Sequence, residues 1–311
     1  MALDPAAVGL LQQMEAAGGP PLNELSPAES REAAQGFAAL GGPGDDVASQ
    51  TDRTIPGPNG DIPIRVYTPS GDGPFPCLVY FHGGGWVIGD LEMVNAACRT
   101  LAARSSCVVV SVDYRLSPEH KYPVPFDDCF AATTWVARHG DQIGVDSTRI
   151  AVGGDSAGGN LAAAVSLRAR DEGGPALVMQ LLIYPVTDHR YDTGSYASNG
   201  ENYLLTTDMM KWFWDHYLNA EGDGELAYVS PLRAKDLSNL PPATVFTAEF
   251  DPLRDEGEAY ASKLVGNGVE VNHTRFDGQI HGFFSMLLIF EAAGAAIDLA
   301  AVDLKKAFGG S

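Results

Sequence analysis

Short apolar runs alternate with helix-compatible stretches along most of this chain, from about residue 53 onward. We interpret the apolar runs as strands. Strands that alternate with helices predict an α/β fold, with a mostly parallel central sheet and helices on both faces. The turn sequence Pro-Asn-Gly-Asp at 58–61 predicts that the first two strands are antiparallel. The first segments of the alternation are 62–67, 77–81, 95–103, 108–112 and 126–138.

Two segments interrupt this alternation. Residues 1–50 show helical spacing at Val8, Leu11 and Met14, a helix start at Ser26 and a glycine-rich exit, and they contain no predicted strand. After Pro185, a polar stretch and an aromatic cluster replace the strand-helix pattern, which we interpret as an insertion. The predicted boundaries are 1–50 for an N-terminal helical cap segment, 51–187 and 231–311 for the two parts of the core, and 188–230 for inserted cap helices.

The sequence Gly-Asp-Ser-Ala-Gly at 154–158 follows the apolar run 150–152 and opens a helical stretch that reaches about residue 170. A serine on a tight turn between a strand and a helix projects its hydroxyl from the backbone, and the turn needs glycines because it has no room for side chains. The pattern predicts that Ser156 is a nucleophile. In a glycine-rich chain this pentapeptide alone is equally compatible with chance.

A second glycine-rich segment, His-Gly-Gly-Gly-Trp at 82–86, ends the strand predicted at 77–81. Backbone N–H groups in such a loop can bind the oxyanion that forms during acyl transfer. We expect the amides of Gly84, Gly85 and Ala157 to be these donors and His82 to shape the loop by hydrogen bonding. A flexible surface turn is the alternative.

An acid and a base are expected after later strands, in the chain order serine, acid, histidine. His281 follows a predicted strand and is flanked by a glycine, whereas His273 lies within that strand and is given a structural role. Asp251 is the first carboxylate after its strand and is our candidate acid, with Asp188 and Asp255 as competitors. The remaining histidines are given exposed positions: His120, His139, His189 and His216.

These motifs occur together with Asp-Tyr-Arg-Leu-Ser-Pro-Glu-His at 113–120, Tyr-Pro at 184–185, Asp-Pro-Leu-Arg-Asp-Glu at 251–256 and His-Gly-Phe at 281–283. In this set and order the chain resembles the bacterial hormone-sensitive-lipase-like esterases, the family IV carboxylesterases of the α/β-hydrolase superfamily. The resemblance spans roughly 53–305 and departs at Ser117, where the family usually has alanine. It implies an α/β-hydrolase fold with a helical cap, with Ser156 as nucleophile, His281 as general base and acid, and Asp251 as the residue that orients His281.

In the resembled family, the inserted helices and the N-terminal segment cover the active site and form the acyl pocket. The alternative for each aromatic side chain is that it only fills the seam between cap and core. Candidate wall residues in this chain are Trp86, Tyr184, Met210, Phe213, Leu253 and Phe283.

Composition narrows the choice of partners. The net charge of -20, from 40 acidic and 20 basic residues, argues against a nucleic-acid partner, which would require clustered Lys and Arg. No segment has the length and apolarity of a membrane span, and the first residues do not read as a signal peptide. We therefore expect a cytoplasmic protein with no membrane partner. The four cysteines are expected to be buried thiols without metal-ligand spacing: Cys77, Cys98, Cys107 and Cys129.

The sequence thus favours a serine carboxylesterase that hydrolyses small-molecule esters with short to medium acyl chains through an acyl-enzyme. We expect it to need neither a metal nor an organic cofactor. A lipase or a specialised deacylase is the alternative enzyme, and a non-catalytic ligand receptor on the same fold is the alternative outside catalysis. Members of the resembled family often form homodimers through an edge strand, and the sequence leaves this assembly open.

Overall fold

The computed structural model describes residues 2–310, so Met1 and Ser311, which begin and end the predicted segments, lie outside the described residues. Eight strands form one sheet in the order β1-β2-β4-β3-β5-β6-β7-β8. The order confirms the predicted α/β fold, because neighbouring strands in the second half are joined by helices. The strands are β1 Ser49–Ile55, β2 Ile62–Thr68, β3 Phe75–Phe81, β4 Val108–Val112, β5 Val145–Asp155, β6 Met179–Ile183, β7 Ala243–Phe250 and β8 Val271–Ile280.

The sheet is antiparallel only at its first edge. β1 pairs with β2, and β2 with β4, in antiparallel fashion, whereas the pairs from β4 through β8 are parallel. The antiparallel β1–β2 pair is the one predicted from the turn at 58–61. β1 begins at Ser49, inside the segment predicted to lack strands, because this exposed edge strand is polar and shows no apolar run.

Helices cover both faces of the sheet. Side chains of β3 alternate between the two faces: Val79 packs in one core cluster with α5, α6 and α9, and Leu78 and Tyr80 pack in the other with α4 and α10. Burial on both faces explains why these strands appear in the sequence as continuous apolar runs. The helices are α1 Pro5–Ala17, α2 Pro27–Ala34, α3 Ala38–Gly41, α4 Asn95–Ser105, α5 Val124–His139, α6 Ala157–Asp171, α7 Gly194–Asn199, α8 Thr207–Tyr217, α9 Arg254–Gly266 and α10 Glu291–Ala307.

The N-terminal helices are attached to the loops that follow β3 and β4. Arg31 of α2 donates from Nε to the Val87 carbonyl at 2.8 Å and from Nη2 to the Ser117 carbonyl at 2.8 Å. The same guanidinium forms a bidentate pair with Glu119. A short turn before α2, Leu22–Glu24, packs against α8 of the inserted segment. The two interrupting segments therefore meet over the same end of the sheet.

All four cysteines are free and buried within the described residues. Burial raises the pKa of the Cys107 thiol to about 12, which makes its nucleophilic thiolate form scarce near neutral pH. Within residues 2–310, no helix has both the length and the apolarity that crossing a bilayer requires.

Candidate active site

Three of the predicted site residues meet at the carboxyl ends of the parallel strands. Ser156 follows β5, Asp251 follows β7 and His281 follows β8. Ligand sites of open α/β sheets lie at this edge, because the loops that leave parallel strands converge there. The three residues are 8%, 0% and 8% exposed, respectively.

Ser156 lies on the tight turn that its glycine neighbours predict. Its φ of 57° and ψ of -119° are unusual for a residue with a side chain, and α6 begins at the next residue, Ala157. A Cβ atom on Gly158 would come within 1.9 Å of the Phe81 carbonyl oxygen, and one on Gly154 within 2.4 Å of it. The turn therefore requires glycine on both sides of the serine.

A chain of hydrogen bonds joins the three side chains. His281 Nε2 lies 2.9 Å from Ser156 Oγ, and His281 Nδ1 lies 2.7 Å from Asp251 Oδ2. The other carboxylate oxygen of Asp251 accepts the N–H of Leu253 at 2.9 Å. The Tyr184 ring packs beside the imidazole, with ring centroids 4.6 Å apart. This arrangement lets His281 take the proton of the Ser156 hydroxyl while Asp251 holds the Nδ1–H tautomer.

The two competing carboxylates point elsewhere. Asp188 forms an ion pair with Arg233. Asp255 accepts the backbone N–H of Ser195 at 2.7 Å and pairs with Arg254. The geometry therefore brings Asp251, and neither competitor, to the histidine.

The loop that follows β3 is fixed at its first peptide by two neighbouring strands. The Tyr114 hydroxyl donates to the His82 carbonyl at 2.7 Å, and Gly83 N–H donates to Asp155 Oδ1 at 3.1 Å. The Tyr80 hydroxyl donates to the same Asp155 oxygen at 2.8 Å. Burial raises the pKa of Asp155, and the hydrogen bond from Tyr80 acts in the opposite direction. Asp155 thus joins the turn that carries Ser156 to the glycine-rich loop after β3.

The second peptide of the loop is held by His82. Its Nδ1 lies 2.7 Å from the Gly83 carbonyl oxygen, so this nitrogen carries the proton, because a carbonyl can only accept. The C=O and N–H of one trans peptide point in opposite directions. Holding the Gly83 carbonyl therefore aims the Gly84 N–H away from the imidazole.

The third peptide is held in the same way. The N–H groups of Val87 and Ile88 donate to the Gly84 carbonyl at 3.1 and 2.9 Å, which aims the Gly85 N–H in the opposite direction. Neither the Gly84 nor the Gly85 amide has an acceptor among residues 2–310. Together with Ala157, whose N–H begins α6 and has no intrahelical partner, they supply three unused donors beside Ser156.

An apolar cavity of about 490 Å³ opens onto these groups. Ser156, His281 and the three glycines of the loop line its floor. Its walls come from three parts of the chain: Met14, Pro20, Pro21, Leu22 and Phe37 from the N-terminal segment, Leu204, Leu205, Met209 and Phe213 from the inserted segment, and Ile88, Met93 and Met286 from the core.

Of the six wall residues expected from the sequence, Phe213 lines this cavity. Its ring lies so close to the glycine-rich loop after β3 that a Cβ atom on Gly85 would come within 2.2 Å of it. The other five are buried and are not among the residues that line the cavity: Trp86, Tyr184, Met210, Leu253 and Phe283. Trp86, for example, stacks on Tyr217 at 4.3 Å.

The geometry of α8 explains part of this difference. Residues four apart lie on one face of a helix, so Met209 and Phe213 both face the cavity, whereas Met210, Trp214 and Tyr217 face the seam with the core. The sequence showed the aromatic cluster but not which face would be turned to the cavity. Met209 could have been predicted as a wall residue, because it lies four residues before Phe213 on the same helix.

Four methionines that the sequence did not predict as wall residues line the cavity: Met14, Met93, Met209 and Met286. They belong to different segments, and no spacing connects them. Only Met14 was singled out, as part of the helical spacing of the first segment. Among residues 2–310, no group of three or more His, Cys, Asp or Glu side chains is placed to hold a metal ion.

Comparison with known proteins identifies relatives that are named as esterases or ester hydrolases. The model of the alpha/beta hydrolase fold family matches residues 78–285. The chain is 46% identical to carboxylic ester hydrolase LipN of Mycobacterium tuberculosis, a match that covers 76% of this chain and 64%, less than two thirds, of LipN. It is 42% identical to carboxylesterase NlhH of the same species over 79% of both chains. The crystal structure of a thermostable esterase from Pseudomonas putida superimposes with a TM-score of 0.94 at 43% identity, over 99% of this chain and 98% of that one.

Proposed function

Since this chain belongs to the hormone-sensitive-lipase-like esterases of the α/β-hydrolase superfamily, and is therefore a carboxylic ester hydrolase, we propose that Ser156, His281 and Asp251 carry the reaction. The observation that supports these roles most directly is the unbroken hydrogen-bond chain from Asp251 through His281 to the Ser156 hydroxyl. The substrates are small-molecule esters.

The proposed reaction has two steps. His281 Nε2 removes the hydroxyl proton as Ser156 Oγ attacks the ester carbonyl, and the imidazolium then gives this proton to the departing alcohol. Water attacks the acyl-enzyme in the second step, with His281 again as the base. In both steps the amides of Gly84, Gly85 and Ala157 stabilise the oxyanion, and each such donor is worth about 3 kcal/mol.

The cavity supports short to medium acyl esters as substrates. Its volume of about 490 Å³ is at the small end of the range for ligand pockets, and its walls are mostly apolar. A neutral acyl chain of a few carbons gains from burial against these walls, by about 0.8 kcal/mol for each methylene group. A chain that outgrows the cavity gains nothing further.

Hydrolysis of p-nitrophenyl esters with acyl chains of two to sixteen carbons tests this function. We expect kcat/KM to peak at short or medium chains and to fall at the long end. Faster hydrolysis of triglyceride emulsions than of soluble esters would favour the lipase alternative. No turnover of any ester would favour the ligand receptor.

Replacement of Phe213 by alanine tests whether this side chain limits the length of the acyl chain in the cavity. We expect the ratio of kcat/KM for the twelve-carbon ester to that for the four-carbon ester to rise about 10-fold, because the ring that closes the cavity beside Gly85 is gone. Met210→Leu is the matched control, since Met210 lies on the same helix but away from the cavity. An acyl-length profile that Phe213→Ala leaves unchanged would contradict the assignment of this wall.

We also propose a cytoplasmic location. The support is the set of four unpaired, buried thiols, since proteins of oxidising compartments commonly use cysteines in disulfides. Fractionation of cells followed by detection of the enzyme in the cytoplasmic or the extracellular fraction decides the question.

A further inference from the structure

The loop that carries Asp251 is held by the inserted segment as well as by the sheet. We call residues 249–256, which run from the end of β7 through the connection into the first turn of α9, the acid loop. Asp251 is fully buried in it. One of its carboxylate oxygens is hydrogen-bonded to His281 Nδ1, and the other accepts the Leu253 N–H. Leu253 belongs to the same loop, so this second contact moves with the loop and does not anchor it. Contacts from outside the loop must therefore set the distance between Asp251 and His281.

Ser195 of α7 supplies three of these contacts. Its Oγ donates to the Pro252 carbonyl at 2.6 Å and accepts the Asp255 N–H at 3.2 Å. Its own N–H donates to Asp255 Oδ2 at 2.7 Å. The Ser195 side chain is fully buried and is the one side-chain donor to the Pro252 carbonyl among residues 2–310. Removing a buried donor of this kind leaves its partner unsatisfied.

Asn199 lies one helical turn after Ser195 on the same face of α7. Its Nδ2 donates to the carbonyls of Glu249 and Asp251, at 3.1 and 3.4 Å, and so bridges the backbone on both sides of Phe250. Arg254 also bonds both carbonyls, through Nη1 and its backbone N–H. Loss of the Asn199 amide would loosen the loop without leaving either carbonyl unpaired.

The end of the acid loop is joined to the chain where the core gives way to the inserted segment, at residues 187 and 188. Glu256 Oε1 accepts the N–H groups of Thr187 and Asp188, at 2.7 and 3.3 Å, and the Thr187 hydroxyl donates to the Glu256 carbonyl at 2.9 Å. Burial raises the pKa of Glu256 well above its usual range. The inserted segment thus contacts the loop on both sides of Asp251.

We propose that Ser195 and Asn199 are positioning residues for ester hydrolysis, which hold Asp251 on His281 through the backbone of the acid loop. This inference rests on the roles proposed above for Ser156, His281 and Asp251. In this proposal the inserted segment has two roles. Residues 204–213 form a wall of the cavity, and residues 195–199 support the acid of the catalytic site.

Ser195→Ala and Asn199→Ala test the proposal, with Ser198→Ala as the matched control because Ser198 is exposed on the same short helix. We expect kcat for p-nitrophenyl butyrate to fall about 10-fold in each test variant, equal to 1.4 kcal/mol of transition-state stabilisation, while KM changes less than 2-fold. Neither residue lines the cavity, so substrate binding is expected to be unaffected.

The pH profile of kcat/KM separates positioning from a merely structural role. A carboxylate held on Nδ1 stabilises the imidazolium form of His281, so a looser acid loop moves the acidic limb of the profile to lower pH. Asp251 is the carboxylate bonded to His281, and it is not replaced in these variants. Ser198→Ala is expected to keep the limb and kcat of the wild type.

Three results would overturn the proposal: an unchanged kcat and acidic limb with a lowered Tm, an increase of KM alone, or an equal effect in Ser198→Ala. If Ser195→Ala does not fold, Asn199→Ala decides by the same criteria, because its partner carbonyls keep the Arg254 donors. Failure of the proposed function looks different, since Ser156→Ala would then keep its activity.

Discussion

Replacement of Ser156 by alanine is expected to abolish ester hydrolysis, with a loss of kcat of about 10⁶-fold. The Ser156 Oγ is the atom within 2.9 Å of His281 Nε2, and no other side chain in this chain of hydrogen bonds can form the acyl-enzyme. The measurement is the initial rate on p-nitrophenyl butyrate together with thermal unfolding. We expect Tm to change little, because alanine fits the same turn.

Ser285→Ala is the control for this experiment, since Ser285 is a second serine on the cavity surface. It is expected to keep its rate within a few-fold of the wild type. If Ser156→Ala turned over at the rate of the wild type, or if Ser285→Ala lost activity to the same extent, Ser156 would not be the nucleophile.

Asp251→Asn is expected to lower kcat about 10⁴-fold without loss of the fold. The asparagine oxygen can keep the bond from the Leu253 N–H, which turns its NH₂ group toward His281. A donor at that position forces the proton onto Nε2, so the imidazole can no longer accept the Ser156 proton. Steady-state kinetics at pH 8 on the purified variant measure the loss.

Asp188→Asn serves as the matched control, because Asp188 is a partly buried carboxylate that pairs with Arg233 and not with His281. Its kcat is expected to stay within a few-fold of the wild type at temperatures where the variant is folded. Comparable losses in the two variants would show that the effect comes from charge removal or instability and not from the orientation of His281.

The meeting of Ser156, Asp251 and His281 could be anticipated from the sequence because each residue directly follows a strand. Parallel strands end at one edge of a sheet, so three strand exits that are far apart in the chain become neighbours in space. The glycine-rich loop after β3 was predictable for the same reason. The hydrogen bond from His82 to this loop was also expected, because His82 directly precedes the glycines. The bond from the Tyr114 hydroxyl joins segments that are distant in the chain, and no local pattern reveals it.

The walls of the cavity were largely unpredictable. They are formed where α1, α8 and the core meet, and the sequence carries no signal for how two irregular segments pack on each other. The exposed positions expected for His189 and His216 are wrong for the same reason. The His189 ring packs on Trp214 at 4.9 Å and the His216 ring on Trp212 at 4.3 Å, both within the aromatic seam of the inserted segment.

The methionines of the cavity have a consequence for the durability of the enzyme. Four of the seven methionines in the chain line the cavity, and Met14 is 39% exposed. Peroxide converts a methionine thioether into a polar sulfoxide, which no longer favours an apolar acyl chain. A hydrolase whose chemistry involves no electron transfer thereby becomes sensitive to oxidants, through the surface that holds its substrate.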